Sequence, residues 1–229
     1  MLLTGALASN VSAQTVSVAT DSMAKRMQAC TTCHGAESSG GRTANEVYFP
    51  RIAGKPVGHY GLMVGMVEYL SDDYLLEMAQ YFAKLEVPYP APAPLKTGVT
   101  QATLALGKTL VLQGDQARGI PACTACHGTS LMGVAPALVD GKTARPSMPA
   151  LLGLPRDYLA SQLGAWQTGL RRAHAPDCMG RIAKLLTAQD VDALASWLAT
   201  QAVPTAAQGG SKPAAELPDA MPEACGGVK

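Results

Sequence analysis

Residues 30–34 read Cys30-Thr-Thr-Cys33-His34, and residues 123–127 read Cys123-Thr-Ala-Cys126-His127. Both stretches have the form C-x-x-C-H, the attachment signature of c-type haem. Each thiol adds to one vinyl group of the porphyrin. A spacing of two residues lets a single turn reach both vinyl groups, and the adjacent histidine is then aimed at the iron. The sequence therefore predicts two covalently bound haem c groups, attached through Cys30, Cys33, Cys123 and Cys126 and ligated by His34 and His127.

Two other kinds of site use closely spaced cysteines, and the sequence favours neither. A structural zinc site needs four ligands, and neither half of the chain offers a second C-x-x-C or a nearby pair of histidines. A thioredoxin-like redox site needs no histidine after the second cysteine and lies in a βαβ setting, of which the sequence shows no sign. Two C-x-x-C-H copies in matching contexts indicate haem attachment.

The two motifs belong to a longer internal repeat, in which His34 and His127 lie 93 residues apart. A helix-like stretch precedes each motif and a glycine follows it. Residues 50–56 (PRIAGKP) also parallel residues 149–155 (PALLGLP). An internal repeat of this length predicts two similar domains in tandem.

Each half is expected to end in a helix that begins at a capping hydroxyl residue. Ser71 and Thr187 are good N-caps and an acidic residue follows each of them soon after. Apolar residues then recur at helical spacing to about Leu85 and Ala199. Helices are also predicted before the motifs and in the second half, over residues 22–29, 101–113 and 156–168. The repeat and these helices together predict two similar domains in tandem, each with several helices.

Changes in composition mark the domain boundaries. Four prolines alternate with other residues near the start of segment 87–100, which predicts an extended, semi-rigid linker. The chain is expected to divide into a first cytochrome c domain, this linker, a second cytochrome c domain and a Pro/Gly/Ala-rich tail, over residues 14–86, 87–100, 101–201 and 202–229. Aromatic residues make up only 5% of the chain, and a large apolar cofactor in each half would compensate for the scarcity of large core side chains.

The N-terminal segment predicts export to the periplasm. Residues 1–8 are apolar and small, and Val11-Ser12-Ala13 before Gln14 has the form of a signal-peptidase site. We interpret residues 1–13 as a signal peptide with a truncated start, because a basic n-region is missing; the alternative is an apolar tail on a cytosolic protein. No apolar run of about 18 residues follows, so the mature protein is expected to be soluble. The net charge of +1 indicates no nucleic acid partner.

The sequence resembles the diheme cytochromes c of the c4 type. The resemblance rests on the two C-x-x-C-H motifs, the two Pro-x-Ile/Leu-x-Gly-x-Pro segments and the methionine before each last helix, and it covers almost the whole mature chain. It implies an all-α fold class, with two cytochrome c-like domains in tandem, of which the first is shortened by a helix in this chain. It also implies a His/Met-ligated haem in each domain and a role as a periplasmic electron carrier. Carried over residue by residue, the distal iron ligands are Met63 and Met179. Met66 is the main rival to Met63, since any one methionine can also be core filler.

The first domain departs from the family pattern because it is shorter. His127 and Met179 lie 52 residues apart, whereas His34 and Met63 lie 29 residues apart. The second half uses its extra length for the helix over residues 156–168, and the first half is expected to lack this helix. The first haem should then be more exposed to water, and incomplete ligation of its iron is the alternative to a Met63 ligand.

Four charged or titratable residues near the methionines have more than one interpretation. His59 and His174 could replace a methionine as an iron ligand, but a position at the surface or the haem edge is the plainer reading. Arg171 and Arg172 could neutralise a haem propionate, belong to a docking surface or simply be solvated.

The two cysteines outside the motifs are Cys178 and Cys225. In an oxidising compartment two such thiols usually pair, which would attach the C-terminal tail beside Met179. The alternative is that Cys178 is itself a haem ligand. A thiolate ligand would lower the potential of the haem, which does not suit a carrier.

The expected function is one-electron transfer from a quinol-oxidising complex or a periplasmic dehydrogenase to a terminal oxidase. One alternative is a haem enzyme, either a diheme peroxidase or a sulfur-compound dehydrogenase, for which the shortened first domain and Cys178 are the supporting features. Another is a relay subunit of a larger dehydrogenase, with association to a membrane complex. The protein is expected to be a monomer or a dimer.

Overall fold

The computed structural model describes residues 21–35, 40–42, 48–49, 51–52, 67–89, 91–92, 94–134, 137–139, 142–145, 147–204 and 225–226. Several sequence predictions lie outside these residues. They are the signal peptide (residues 1–13), the segment expected to lack a helix (57–62) and most of the tail (205–224). His59, Met63 and Met66 also lie outside the described residues. Within the described ranges, no helix is both long enough and apolar enough to cross a membrane.

Helices dominate the described structure, which confirms the predicted fold class. They are α1 (Met23–His34), α2 (Asp72–Lys84), α3 (Gln101–Leu112), α4 (Thr124–His127), α5 (Arg156–Thr168), α6 (Cys178–Leu185) and α7 (Ala188–Ala199), with a 3-10 turn over Gln116–Arg118. The helices predicted before each motif, after Ser71, after Thr187 and over residues 156–168 are all present. Helix α6, which carries Met179, was not predicted from the sequence.

Capping side chains fix where α2 and α7 begin. The Ser71 hydroxyl accepts a hydrogen bond from the backbone N–H of Tyr74 at 3.3 Å. The Thr187 hydroxyl accepts one from the backbone N–H of Asp190 at 3.1 Å, and the Asp190 carboxylate accepts one from the backbone N–H of Thr187 at 2.8 Å. These bonds satisfy N–H groups that have no partner inside the helix. The capping role predicted for Ser71 and Thr187 is thus confirmed.

Each domain also contains a short antiparallel ribbon that the sequence did not predict. Strand β1 (Gly41–Arg42) pairs with β2 (Tyr48–Phe49), and β3 (Ala137–Val139) pairs with β4 (Lys142–Arg145). In both halves the ribbon lies between the C-x-x-C-H helix and the proline segment. The ribbon is therefore a further element of the repeat within a mostly helical fold.

The core of the second domain forms where α3 crosses α7. Gly107 lies at this crossing, and a Cβ atom at this position would collide with the carbonyl group of Ala193. Glycine therefore allows the two backbones to approach closely. Helix α5 contacts both α7 and α6, which joins the Met179 helix to this core. The buried side chains at the crossing are apolar and include Leu110, Val111, Leu194, Ala195 and Leu198.

In the first domain, α1 contacts α2. Met27 on α1 and Phe82 on α2 are both buried, and the guanidinium carbon of Arg26 lies 5.7 Å from the centroid of the Tyr74 ring. The helix that carries the first motif is thus paired with the helix that follows the Met63 segment.

The proline-rich linker is anchored to the second domain at its beginning. Val87 and Tyr89 are buried, and Tyr89 belongs to the core cluster of the second domain. Gly153 makes room for the ring, since a Cβ atom there would lie 2.5 Å from Cδ1 of Tyr89. Residues 94–98, in contrast, are exposed. The first residues of the linker therefore act as part of the second domain's core.

Candidate haem sites

Each C-x-x-C-H motif lies at the end of a helix. His34 is the last residue of α1, and His127 is the last residue of α4. The next residues, Gly35 and Gly128, have φ angles of +78° and +84°. Glycine adopts this left-handed conformation without the strain that other residues would meet. The glycine after each motif therefore ends the helix at the histidine in both domains.

The backbone of both histidines is held in the same way. The carbonyl oxygen of His34 accepts a hydrogen bond from the N–H of Gly40 at 2.7 Å, and that of His127 accepts one from the N–H of Gly133 at 3.0 Å. Gly40 and Gly133 both follow their histidine by six residues, and their φ angles are +85° and +83°. The sequence analysis missed this feature, although two glycines at equal spacing were a visible signal.

The His127 imidazole is arranged as a metal ligand. The side chain is buried, and Nδ1 lies 2.8 Å from the carbonyl oxygen of Pro149. A carbonyl oxygen can only accept a hydrogen bond, so Nδ1 carries the proton and Nε2 presents its lone pair. Burial lowers the pKa of His127, and the positive charge of Arg171 acts in the same direction, while the bond to Pro149 opposes them. The imidazole is thus held neutral in the tautomer that a metal ion requires.

His34 is buried to a similar degree, with 5% of its surface exposed compared with 8% for His127. Its ring meets the ring of Phe49 edge-on, with 6.1 Å between the centroids. Pro50, which the repeat aligns with Pro149, lies outside the described residues. The described surroundings of His34 therefore match those of His127 in burial and in backbone geometry.

The four motif cysteines are partly buried and none of them forms a disulfide. Burial raises the pKa of the Cys123 thiol to about 12 and also raises the pKa of the Cys30 thiol. The environment therefore favours a neutral sulfur atom at these positions. A thioether, the product of thiol addition to a vinyl group, is such a neutral sulfur.

Cys178 and Cys225 form a disulfide, with 5.6 Å between their Cα atoms. The disulfide interpretation of the sequence is confirmed. The alternative, in which a Cys178 thiolate ligates the haem iron, is wrong in this structure because the sulfur is bonded to Cys225.

Met179 lies in the first turn of α6. Its side chain is partly buried and packs against three buried residues, Trp166, Ala173 and Ala183. Asp177 caps the helix, and its carboxylate accepts a hydrogen bond from the N–H of Gly180 at 2.8 Å. Helix capping and apolar packing therefore define the position of this methionine.

A cavity of about 420 Å³ connects the second motif to α6. Cys126 lies on its motif side, and Cys178, Ile182 and Cys225 lie on its α6 side. The second haem-attachment thiol and the turn that carries Met179 thus face the same space. Polar side chains, namely Gln113, Gln116 and Arg181, also line this cavity. The donor set of the second motif, two thiols outside any disulfide and a buried imidazole that presents Nε2, fits a haem group covalently attached at Cys123 and Cys126.

Arg171 lies beside Trp166, one of the residues that pack against Met179. Its guanidinium carbon is 5.3 Å from the centroid of the Trp166 ring, and it donates a hydrogen bond to the side-chain carbonyl of Gln162. Its positive charge adds to the effect of burial, which is the main cause of the lowered pKa of His127. Arg172 and His174, in contrast, are exposed.

Comparison with known proteins identifies the family. The Cytochrome c family model matches residues 104–202. The chain is 31% identical to the cytochrome c4 of Pseudomonas aeruginosa over 186 residues, which cover 74% of this chain and 82% of the relative. The chain belongs to the diheme c4-type cytochromes. It carries two covalently bound haem c groups, which its two C-x-x-C-H motifs fit, and it is an electron-transfer protein.

Another relative of this c4-type cytochrome is the thiosulfate dehydrogenase electron acceptor of Thiomonas intermedia. The two are 34% identical over 186 residues, covering 75% of this chain and 78% of the relative. The name of this relative describes a protein that accepts electrons from thiosulfate dehydrogenase.

Solved structures confirm the tandem fold. The reduced recombinant cytochrome c4 of Pseudomonas stutzeri matches with a TM-score of 0.54 and 27% identity, over 77% of this chain and 95% of that chain. The thiosulfate dehydrogenase (TsdBA) of Marichromatium purpuratum matches with a TM-score of 0.57 and 29% identity over 77% of this chain. The match with the present chain covers only 37% of the length of TsdBA.

Proposed function

We propose that this c4-type cytochrome carries single electrons in the periplasm, with His34 and Met63 as axial ligands of the first haem iron and His127 and Met179 as those of the second. The observation that carries the proposal is the hydrogen bond between His127 Nδ1 and the Pro149 carbonyl oxygen, 2.8 Å long. This bond fixes the neutral tautomer and presents Nε2 to a metal ion. The repeat supports the same arrangement for His34.

The proposed ligands suit electron transfer better than catalysis. When bound, haem c supplies an iron centre that changes its charge by one electron. The imidazole and the thioether are both neutral, and a thioether ligand raises the haem potential. Two protein ligands also leave no open position on the iron for O₂ or peroxide. The chain therefore holds its cofactors in a form that exchanges electrons and performs no bond chemistry.

The disulfide supports this function over the enzyme alternative. A catalytic, thiolate-ligated haem would require a Cys178 sulfur available to the iron, and that sulfur is bonded to Cys225. The disulfide also supports periplasmic localisation, because such bonds persist in oxidising compartments. The signal peptide proposed for residues 1–13 is consistent with the same compartment.

We propose a sulfur-compound dehydrogenase as the electron donor and a terminal oxidase as the acceptor. The similarity to the thiosulfate dehydrogenase electron acceptor of Thiomonas intermedia, and to a portion of TsdBA, supports this donor class. A relay role within a dehydrogenase assembly is compatible with the same two likenesses. In either case the electrons pass through the two haem groups of this chain.

The test is reduction of the purified ferric holoprotein, followed by absorption spectroscopy. With thiosulfate and a thiosulfate dehydrogenase present, both haems should become reduced, to a total of two electrons per chain. With thiosulfate alone, reduction should not exceed the rate seen in buffer. Continued oxidation of thiosulfate by the cytochrome and an added artificial electron acceptor, with no dehydrogenase present, would establish the enzyme alternative. Failure of the dehydrogenase to reduce either haem would exclude this donor class.

A further inference from the structure

A short C-terminal segment lies against the turn that leads to Met179. We call Cys225 and Gly226 the strap. Cys225 is bonded to Cys178, the residue before Met179. The N–H of Gly226 donates to the carbonyl oxygen of Pro176 at 2.9 Å. The strap is therefore attached to the Met179 turn both covalently and through the backbone.

The strap packs so closely that its second residue must be glycine. A Cβ atom at Gly226 would collide with the carbonyl group of His174. The strap thus touches the turn at His174, Pro176 and Cys178, three positions within five residues of Met179. A contact this close indicates that the strap binds the turn in one defined position.

Asp177 stabilises the same turn through hydrogen bonds within it. Its carboxylate accepts hydrogen bonds from the N–H of Ala173 at 3.1 Å and from the N–H of Gly180 at 2.8 Å. These bonds hold the turn in shape but do not connect it to any distant part of the chain. The disulfide does so, because Cys225 is 47 residues away in sequence from Cys178.

The first domain has no counterpart to this disulfide. Its two cysteines, Cys30 and Cys33, both belong to the first motif. Residues 61–65, which surround Met63, read GLMVG and contain no cysteine. The two methionines are thus presented by differently restrained segments of one chain.

A methionine thioether is a neutral axial ligand that external ligands can replace when its segment moves away from the iron. A disulfide disfavours such displaced states, because it reduces the conformational freedom that opening would gain. The strap is attached to the turn at both Cys178 and Pro176, so a change in the shape of the turn that moves these two residues apart breaks the backbone bond between Gly226 and Pro176. Restraint of the turn therefore favours the ligated state.

We propose that the strap is a positioning element for Met179, which holds its thioether at the second haem iron and slows its replacement by external ligands. The proposal rests on the proposed function, in which Met179 is the distal ligand. The first haem, whose segment carries no disulfide, exchanges its methionine more readily. The strap thereby keeps the second haem in its high-potential, electron-transferring form.

The experiment measures cyanide binding to the ferric holoprotein by stopped-flow absorption, together with the far-red sulfur-to-iron band. The double variant Cys178→Ala/Cys225→Ala removes the disulfide without leaving a thiol that could ligate the iron. We expect the phase in which cyanide binds the second haem to become at least about tenfold faster. A disulfide commonly stabilises a folded segment by more than the free energy that corresponds to a tenfold change in an equilibrium constant. The phase of the first haem should not change, so it serves as an internal control.

A second variant keeps the disulfide and disturbs only the packing of the strap against the turn. Gly226→Ala places a methyl group against the His174 carbonyl, and it should accelerate the same phase by a smaller factor. Gly164→Ala is the matched control, because an added methyl group there meets nothing within 4 Å. Gly164→Ala should bind cyanide at the parental rate at both haems.

Met179→Ala separates failure of this proposal from failure of the ligand assignment. It identifies the kinetic phase of the second haem, since its iron becomes open to cyanide. If Met179→Ala removes the far-red band while both strap variants bind cyanide at the parental rate, the strap proposal alone is overturned. If Met179→Ala leaves the band of the second haem intact, the ligand assignment is wrong and the strap proposal falls with it.

Discussion

The guanidinium carbon of Arg51 lies 4.2 Å from the centroid of the Tyr89 ring. Arg51 is only 3% exposed, and it donates hydrogen bonds to the carbonyl oxygens of Pro88, at 3.0 Å, and of Val87. Tyr89 in turn is buried in the core of the second domain. A cation from the first domain is thus held by the linker and stacks on a core residue of the second domain.

Replacement of Arg51 by Gln should destabilise the holoprotein by about 2 kcal/mol or more, because it removes two hydrogen bonds from a buried charged group and a desolvated cation–π contact. Unfolding in guanidinium chloride measures the loss. Arg26→Gln is the matched control, since Arg26 also lies over a tyrosine but its side chain is 43% exposed. The Arg26→Gln variant should lose clearly less stability than the Arg51→Gln variant, because an exposed ion pair contributes little, and equal losses would contradict a special role for Arg51.

Two haem groups should remain attached after denaturation. Thioether bonds survive unfolding, so the mass of the denatured chain should exceed that of the mature polypeptide by two haems. Cys123→Ala/Cys126→Ala should remove one covalent haem, and Cys30→Ala/Cys33→Ala should remove the other. Loss of haem on acid-acetone extraction of the parental protein would disprove covalent attachment.

Met179→Ala should abolish the sulfur-to-iron band of the second haem, lower its potential and allow carbon monoxide to bind the ferrous iron, because the soft thioether stabilises the reduced state. Absorption spectroscopy and a redox titration measure these changes. Met132→Ala is the control, since Met132 lies in the core cluster and is 5% exposed. It should lower stability but leave the band and the potential unchanged. The same outcome for Met179 would make it core filler.

The two haems should titrate at different potentials, with the first haem lower. The first domain lacks, in its sequence, the residues that form α5 in the second domain. Greater access of water stabilises the ferric haem, which carries one more positive charge than the ferrous form. A redox titration gives two waves, and Met63→Ala and Met179→Ala assign them. A lower potential at the second haem would mean that a local charge or a propionate bond outweighs exposure.

The ion pair of Arg118 and Asp190 should make stability depend on pH. Burial raises the pKa of Asp190, but hydrogen bonds from Arg118 and Thr187 outweigh it and hold the pKa below its ordinary value of 3.8. The folded state therefore binds this proton less readily than the unfolded state. The contribution of the pair is complete above about pH 4 and is lost as the pH falls through the lowered pKa.

Asp190→Asn should therefore cost about 2–3 kcal/mol near neutral pH, because it leaves part of a buried hydrogen-bond network unsatisfied. The difference from the parental protein should shrink below about pH 4. Thermal unfolding between pH 3 and pH 7 measures this difference. Asp157→Asn is the control, since the Asp157 side chain is 60% exposed in its pair with Arg156. A difference for Asp190→Asn that stays constant with pH would contradict the assignment.

The sequence by itself determined the covalent chemistry and the repeat. Two C-x-x-C-H motifs, each followed by glycine, fix where a haem can be attached and where each helix ends, because both depend on residues adjacent in the chain. The caps at Ser71 and Thr187 and the helix over residues 156–168 were also predictable. Local hydrogen bonds and helical periodicity leave a signal that single-sequence reasoning can detect.

The tertiary structure decided which distant groups meet. The sequence left Cys178 between two roles, and the structure placed its sulfur against Cys225. It also placed Tyr89 of the linker inside a core and Arg51 over its ring. These contacts join residues far apart in the chain, and they depend on packing of whole helices, which no local pattern encodes. The sequence predicted a disulfide that attaches the tail beside Met179, but the contacts of Gly226 with Pro176 and His174 became visible only in the folded protein.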